Sequence, residues 1–215
     1  MKQLRVIDLY CGAGGATKGL QRAGFHVTGV DHKPQKNYCG DAFIQADALE
    51  VSLEGYDFIW ASPPCQKYSH IRKQSRPGNE HPDLVAPTRD RLIESGTPYV
   101  IENVGGSPLL RGSIMLCGEM FGLKTYRHRW FECSWGILAP QHIKHPETCP
   151  RGGRQPSASG RMSVVGNMPN LPAARRAMGI QWMNRKELSQ AIPPAYSEYI
   201  ARQFLDAVAR RQEAT

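Results

Sequence analysis

Short apolar runs, many of them β-branched, alternate with helix-like stretches along the first half of this sequence. Runs of this length predict strands, and the apolar spacing between them predicts helices. Strands that alternate with helices favour an α/β fold whose mostly parallel sheet is covered on both faces. The predicted strands are Arg5–Leu9, Val27–Asp31, Phe43–Ala46, Phe58–Ala61 and Tyr99–Glu102, and the predicted helices are Ala16–Ala23 and Leu84–Ser95.

The second half of the chain has a weaker pattern. Two further strand-like runs come first, Ile114–Cys117 and Trp130–Cys133. Residues 133–171 are then rich in Pro, Gly, Ser and His without a sustained period, which is typical of an irregular lobe. Ala195–Arg211 has the apolar stripe of a helix. We therefore expect a core at 1–132, a small lobe at 133–171 and a C-terminal segment at 172–215 whose last helix returns to the core.

Composition favours a cytoplasmic protein of one domain. A chain of 215 residues can bury a sizeable core. No stretch approaches the ~20 apolar residues of a membrane helix, and the N-terminal segment lacks the long apolar run of a signal peptide. The six cysteines have no framework spacing, so we expect free thiols in a reducing compartment.

Positive charge is concentrated in the second part of the sequence. Residues 1–123 contain 13 Lys and Arg and 13 Asp and Glu, whereas residues 124–215 contain 14 and 6 and carry the whole net charge of +8. A neutral part followed by a basic part indicates a cofactor-binding core and a surface for phosphates. An ordinary soluble basic surface would give the same count.

In parallel sheets, ligands bind outside the carboxyl ends of the strands, and polar residues follow several predicted strands here. A glycine-rich loop at residues 12–15 follows the first strand and opens a helix, so its amide groups can approach a ligand. The spacing is neither the dinucleotide fingerprint nor a P-loop, and a tight turn is the alternative.

Two acids end the next two strands. Asp31 is placed to accept both hydroxyls of a ribose, and Asp47 is placed to accept from an adenine amino group. Each acid alone is more often a helix cap or a turn residue. Three successive strand ends with suitable groups favour an adenosine-containing cofactor.

A cysteine preceded by two prolines follows the fourth strand. Pro63 and Pro64 fix the backbone directly before Cys65. The loop after Cys65 is cationic, which would favour the thiolate form needed for nucleophilic attack. An isolated cysteine is otherwise most often an inert small hydrophobic residue. The cations of the loop are Lys67, His70, Arg72, Lys73 and Arg76.

A carboxylate flanked by apolar residues, Glu102, follows the fifth strand. Such a group is costly to bury unless it has a partner or a function. If the fourth and fifth strands are neighbours, Cys65 and Glu102 face one pocket. A thiolate beside a protonatable carboxyl suits attack on an electron-poor ring whose nitrogen must gain a proton. The alternative is a structural ion pair of Glu102 with Arg127 or Arg129.

Taken in order, these segments resemble the motifs of the cytosine-C5 DNA methyltransferases. Residues 8–15 resemble the family's first motif, 63–66 its nucleophile motif, 102–104 its acid motif, 127–129 the Arg-x-Arg of its eighth motif and 191–194 its last motif. The resemblance implies a Rossmann-like sheet of the S-adenosylmethionine-dependent methyltransferase type. Short enzymes of this kind occur in phages and their hosts, where modification can protect a whole genome.

The resemblance also implies a role for each site residue. Cys65 would add to C6 of cytosine while Glu102 interacts with N3, and C5 would take the methyl group and then lose its proton. Arg127 and Arg129 would hold the ring oxygen and neighbouring groups. The substrate would be duplex DNA with a flipped base, and we expect a monomer. The residues expected to bind the cofactor are Asp8, Tyr10, Cys11, Gly12, Ala13, Gly14, Gly15, Asp31, His32, Asp47, Ala48 and Pro63.

Three features depart from the family pattern. Thr125 stands where the family has Gln, and Ser189-Gln190 stands where its closing motif begins Gly-Asn. The span between the eighth and ninth motifs, 133–171, is 39 residues, which is short for a base-reading domain. Basic residues of this span could still contact a phosphate backbone. They are Lys144, Arg151, Arg154 and Arg161.

Two other functions stay open at this point. The short lobe is compatible with cytosine in a free nucleotide or in tRNA, although the basic second part argues against a free nucleotide. A catalytically silent DNA-binding relative would not need both Cys65 and Glu102.

A zinc site is a further hypothesis, with ordinary loop residues as the alternative because no close Cys pair is present. Its residues would be Cys133, His142, His145 and Cys149.

Overall fold

Seven strands within the described part of the chain form one sheet. The computed structural model describes residues 3–64, 83–107, 112–149, 156–166 and 168–213. In chain order the strands are β1 Arg5–Leu9, β2 His26–Asp31, β3 Ala42–Gln45, β4 Phe58–Ala61, β5 Tyr99–Asn103, β6 Ile114–Leu116 and β7 Arg129–Cys133. Their order across the sheet is β3-β2-β1-β4-β5-β7-β6.

The sheet is mostly parallel, as the alternating pattern predicts. Each neighbouring pair from β3 across to β5 is parallel, and β7 is antiparallel to both β5 and β6. The central strand β4 is an apolar run that is buried throughout, and β1 is buried after Arg5 with Asp8 as its one buried charged residue, as parallel strands covered on both faces require. The edge strand β3 is largely exposed.

Five α-helices accompany the sheet in the described residues. They are α1 Gly15–Arg22, α2 Val85–Glu94, α3 Leu171–Met178, α4 Arg185–Gln190 and α5 Pro194–Glu213, and Gly118–Phe121 adds a turn of 3-10 helix. The sequence pattern predicted α1, α2 and α5 but missed α3 and α4. Both missed helices are short, and their clearest signals are the capping residues Asn170 and Asn184, which accept from backbone N–H groups. No helix among the described residues is long and apolar enough to cross a bilayer.

Helix α5 returns to the core and packs directly on α1. A Cβ at Gly19 would stand 2.0 Å from the carbonyl oxygen of Pro194 and 2.1 Å from Oγ of Ser197, so the two helices approach this closely only because residue 19 is glycine. This face of the sheet holds an aromatic core with Phe58, Trp60 and Phe204. The opposite face holds an aliphatic core that includes Ile59, one position along β4.

The region between β7 and α3 does not form an independent unit throughout. Within the described parts of residues 134–170 there is no helix or strand, as predicted. However, Met162, Val164 and Met168 are almost completely buried in a third apolar cluster with α3 and α4. The later part of the expected lobe is therefore continuous with the C-terminal segment.

Candidate active site

The carboxyl ends of β1, β2, β4 and β5 meet at one edge of the sheet. The register aligns Leu9 of β1 with Val30 of β2 and with Ala61 of β4, and Ala61 in turn with Ile101 of β5. Residues that directly follow these strands are consequently neighbours in space. The prediction that the fourth and fifth strands are adjacent is confirmed, and that Cys65 and Glu102 face one pocket stays a prediction.

A buried carboxylate and a guanidinium form the centre of this edge. The Nε atom of Arg129 lies 3.0 Å from Oε1 of Glu102, and the Glu102 side chain is only 9% exposed. Burial raises the pKa of Glu102, while Arg129, Arg127 and the hydroxyl of Ser62 oppose that shift. The ion pair between Glu102 and Arg129, which the sequence left open as an alternative, is thus present. Its raised pKa nevertheless means that Glu102 holds a proton more readily than an exposed glutamate does.

The segment after β4 is attached to the strand that carries Glu102. Asn103 donates from Nδ2 to the carbonyl oxygen of Pro63 over 3.2 Å, and Trp60 donates from its indole nitrogen to Ser62 Oγ over 3.1 Å. These bonds fix the backbone up to Pro64. Cys65 lies outside the described residues, as do the cations expected after it, which are Lys67, His70, Arg72, Lys73 and Arg76.

The two predicted arginines have different surroundings. Arg127 is 8% exposed and donates to the carbonyl oxygens of Val164, Ser189 and Ala191 at 2.5 to 2.8 Å. It therefore links the start of β7 to the segments around residues 164 and 190. Arg129 instead lies against Glu102. A cavity of about 150 Å³ is lined by both arginines together with Thr125, Ser163 and Val164.

The glycine-rich loop and Asp31 form a second group at the same edge. Gly12 has a φ of +50°, and a Cβ there would meet nothing within 4 Å, so its backbone faces open space. Asp31 accepts from the N–H of Gly12 over 3.1 Å and from that of Lys33 over 3.0 Å. His32 places Nδ1 3.3 Å from Asp31 Oδ1 and is itself exposed.

Other residues of the loop have packing reasons for their identity. A Cβ at Gly14 would stand 2.7 Å from Cys39 Sγ, and one at Gly15 would stand 2.6 Å from the carbonyl oxygen of Ile192. Ala13 is buried in the third cluster, and its carbonyl accepts from the indole of Trp182 over 2.8 Å. Cys11 is buried, and burial raises the pKa of its thiol. The loop is therefore a tight turn, which was the alternative to a ligand-binding loop. Among its glycines, Gly12 is the one whose backbone faces open space.

Asp8 is completely buried beneath this loop. Its Oδ2 accepts from the Thr17 hydroxyl over 2.5 Å, while Oδ1 has no hydrogen-bond partner among the described residues. Burial raises the pKa of Asp8 to about 7. A buried carboxylate with an unsatisfied oxygen is costly, which makes Asp8 a candidate for contact with a ligand.

The remaining predicted cofactor residues follow β1, β3 and β4. Tyr10 has a φ of +59°, and its hydroxyl lies 2.8 Å from Thr88 Oγ1. Asp47 is exposed and accepts from the N–H of Leu49 over 2.8 Å, the turn contact considered as its alternative. Ala48 and Pro63 are buried. These residues lie near the same edge, and their roles toward a cofactor stay predictions.

The structure brings together only half of the zinc set expected from sequence. Nε2 of His142 lies 3.0 Å from Nε2 of His145, but Cys133 and Cys149 are outside the group of converging donor atoms. Cys117 and His128 complete that group instead. Sequence reasoning missed them because Cys117 ends a strand-like run and His128 is inside the Arg-x-Arg motif.

Part of the chain is similar to known sequences. Residues 4–107 match the family model of the C-5 cytosine-specific DNA methylases. The chain is 33% identical to the Type II methylase M.HgiDII of Herpetosiphon aurantiacus, over 46% of this chain and 32% of that protein. It is 28% identical to the Type II methyltransferase M.AgeI of Thalassovita gelatinovora, over 65% and 37%. The chain spans about a third of the length of these curated relatives.

Solved structures share the fold at low sequence identity. A candidate DNA modification methyltransferase from an E. coli prophage superposes with a TM-score of 0.64 at 16% identity, over 96% of this chain and 100% of that one. The Dnmt2 methyltransferase of S. pombe gives 0.58 at 14% identity, over 96% and 99%. The protein thus shares the fold of these methyltransferases. Residues 4–107 are therefore similar to the C-5 cytosine-specific DNA methylases, on a fold that methyltransferases share.

Proposed function

We propose that this protein transfers a methyl group from S-adenosylmethionine to carbon 5 of cytosine in DNA through a covalent bond between Cys65 and C6. One observation carries the proposal. Glu102 is buried against Arg129 at the carboxyl end of β5, and Asn103 beside it binds the backbone two residues before Cys65. The acid and the nucleophile-bearing segment are thereby attached to each other, as the reaction requires.

The residues around the glycine-rich loop fit S-adenosylmethionine, the cofactor of this family. A carboxylate offers about four acceptor sites, so Asp31 retains capacity for two ribose hydroxyls beside its bonds to Gly12 and Lys33. The unpaired Oδ1 of Asp8 and the outward-facing backbone of Gly12 offer further contacts. The bound cofactor would supply an electrophilic methyl group on its sulfonium.

The protein's own residues account for the activation of cytosine. The Cys65 thiolate would form a bond to C6, which moves electron density into the ring. Glu102 would hold a proton at N3 as that density builds, and its raised pKa suits this task. Arg129 would hold Glu102 in place and bind the ring oxygen. After C5 has taken the methyl group, loss of its proton and departure of Cys65 restore the aromatic ring.

Arg127 has a supporting part in this scheme. Its guanidinium bonds the carbonyl oxygens of Val164, Ser189 and Ala191, and so holds the wall of the cavity that Arg129 shares. The carbonyls belong to backbone, so Ser189 at the position of the family's Gly does not remove this contact. Arg127 would therefore position Arg129 rather than touch the base.

Replacing Asp31 by alanine is expected to weaken S-adenosylmethionine binding by roughly ten-fold or more. A hydrogen bond to a charged group contributes about 1.5–3 kcal/mol, and two ribose hydroxyls would lose their acceptor. Isothermal titration calorimetry with S-adenosylmethionine measures this. Asp57→Ala is the matched control, because Asp57 accepts from the N–H of Arg5 over 2.7 Å at the opposite end of the same sheet. Equal affinity of Asp31→Ala and wild type would exclude this role.

The expected substrate is duplex DNA read over only a few bases. Residues 124–215 carry the whole net charge of +8, and a row of phosphates rewards a broad basic surface through counterion release. Affinity for duplex DNA should fall steeply between low and moderate salt, while discrimination among sequences stays modest. Each lost base contact should cost only ~1–3 kcal/mol. Fluorescence anisotropy at several salt concentrations, with several duplex sequences, measures both properties.

A panel of cytosine carriers separates the proposal from its rivals. The protein would be incubated with labelled S-adenosylmethionine and duplex DNA, single-stranded DNA, tRNA or dCMP. We expect label in duplex DNA, and a covalent adduct with DNA that contains 5-fluorocytosine, because fluorine cannot leave as a proton does. Efficient methylation of dCMP or tRNA, without methylation or trapping of duplex DNA, would overturn the DNA assignment. Binding of DNA without transfer to any carrier would indicate a catalytically silent relative.

A further inference from the structure

Four metal-binding side chains from three parts of the chain converge on one point beside the candidate active site. They are Cys117 directly after β6, His128 directly before β7, and His142 and His145 from the irregular segment. One potential ligand atom from each lies within 4.8 Å of all the others. Among the described residues, this is the group of three or more His, Cys, Asp or Glu side chains whose ligand atoms converge in this way.

The separations within the group are short. Nε2 of His142 lies 3.0 Å from Nε2 of His145 and 3.3 Å from Nε2 of His128, and Cys117 Sγ lies 3.3 Å from Nε2 of His145. A neutral imidazole nitrogen carries either one hydrogen or one lone pair. His142 and His145 each have two close partners at that single nitrogen, so hydrogen bonds alone cannot satisfy the group.

A single ion at the centre would satisfy all four donors. Tetrahedral zinc has Zn–N distances of about 2.0–2.1 Å and Zn–S distances of about 2.3 Å, which place its nitrogen ligands about 3.4 Å apart and sulfur about 3.6 Å from nitrogen. The three separations given above are within a few tenths of an ångström of these values, and the other pairs are within 4.8 Å. We propose that Cys117, His128, His142 and His145 bind one Zn²⁺ ion in a closed, structural site.

The part of the irregular segment that contributes the two histidines lies between two anchored points. On one side Trp135 packs on the core and the backbone of Leu138 bonds to Tyr199 and Gln203, and on the other the carbonyl oxygen of Glu147 accepts from Tyr126. Between these points no helix or strand forms, and the side chains of Leu138 and Ile143 are 78% and 71% exposed. Zinc would bind this part of the segment to the ends of β6 and β7.

The same ion would also restrict the backbone that carries Arg129, the partner of Glu102. His128 is the residue between Arg127 and Arg129, and Arg129 donates to the carbonyl oxygen of His128 over 2.8 Å besides pairing with Glu102. Fixing His128 would restrict the backbone from which both arginines project. Zinc would therefore act here as a positioning element and would touch no substrate. The inference rests on geometry alone and does not depend on the proposed reaction.

Metal analysis of the purified protein tests the proposal directly. After growth with added zinc and dialysis, elemental analysis of wild type should give about one zinc ion per chain. His142→Ala, an exposed position, and Cys117→Ser should each lose most of this zinc. Cys133→Ser is the matched control and should retain it, because Cys133 lies outside the group. Full zinc in both ligand variants, or its loss in Cys133→Ser, would overturn the assignment.

Cobalt substitution keeps the test decisive even if a ligand variant fails to fold. Metal-free wild type that is refilled with Co²⁺ should show the intense visible bands of tetrahedral cobalt and a thiolate-to-cobalt charge-transfer band. Chelation should lower the melting temperature of wild type and leave that of folded His142→Ala almost unchanged. Folded wild-type protein that takes up neither zinc nor cobalt, or that binds cobalt without the thiolate band, would refute the site.

Discussion

Cys65→Ala is expected to abolish methyl transfer while leaving S-adenosylmethionine binding within a few-fold of wild type. The thiol is the only group in the proposed scheme that forms a bond to C6, and without that bond C5 does not become nucleophilic enough to accept a methyl group. The proposed scheme gives the thiol no contact with the cofactor, so we expect the cofactor site to stay intact. Incorporation of labelled methyl groups into DNA and calorimetric titration of the cofactor measure the two quantities.

Cys133→Ser provides the matched control for the nucleophile. Cys133 lies on β7 away from the carboxyl ends of β4 and β5, so its replacement should leave transfer almost unchanged. The adduct with 5-fluorocytosine DNA should form in this control and be absent in Cys65→Ala. Substantial turnover by Cys65→Ala would rule out the covalent mechanism.

Glu102→Gln is expected to lower the rate of methyl transfer by roughly 100-fold or more, the scale of a positioned proton donor. Glutamine fills the same space beside Arg129 but cannot transfer a proton to N3. Burial raises the pKa of Glu102, and in the proposed scheme its protonated form is the active one. The wild-type rate should therefore decline as pH rises through that raised pKa, and Glu102→Gln should lack this decline. Single-turnover rates across pH measure both effects.

Glu132→Gln is the matched control for the loss of a buried ion pair. Glu132 lies on β7 opposite Ile101, is 9% exposed at its side chain and receives two hydrogen bonds from Arg89 at 2.8 and 2.6 Å. Its replacement should lower the melting temperature without a comparable loss of rate. If Glu102→Gln instead lowers the melting temperature as much and keeps a near-normal rate, Glu102 is only a structural partner of Arg129.

Much of the fold was predictable because the central strands are locally encoded. In β4 every residue is apolar and buried, and in β1 only Arg5 and Asp8 are charged, so a largely apolar run is both the sequence signal and the structural requirement. Both strands were predicted with their observed bounds. Helices α3 and α4 were missed because most of their stability comes from packing in the cluster around Met178 and Leu188, which sequence periodicity does not report.

The candidate site was predictable where its residues lie at the carboxyl ends of strands. Asp31 and Glu102 were identified in this way, since parallel strands bring their carboxyl ends together. The different surroundings of Arg127 and Arg129 were not predictable. The two arginines are only two residues apart, yet they have different neighbours. Arg127 bonds to backbone carbonyls because residues 164 and 189–191 pack against the start of β7.

The sequence by itself determined the α/β class, the central strands, the family motifs and the residues expected to perform the chemistry, because each of these depends on local pattern or on spacing along the chain. The tertiary structure alone decided which partners meet across long separations. Asn103 reaches Pro63, Arg127 reaches Ala191, and Cys117 reaches His145 because the sheet order and the path of the irregular segment bring them together. Contacts of this kind are set by the packing of whole elements, which no local pattern encodes.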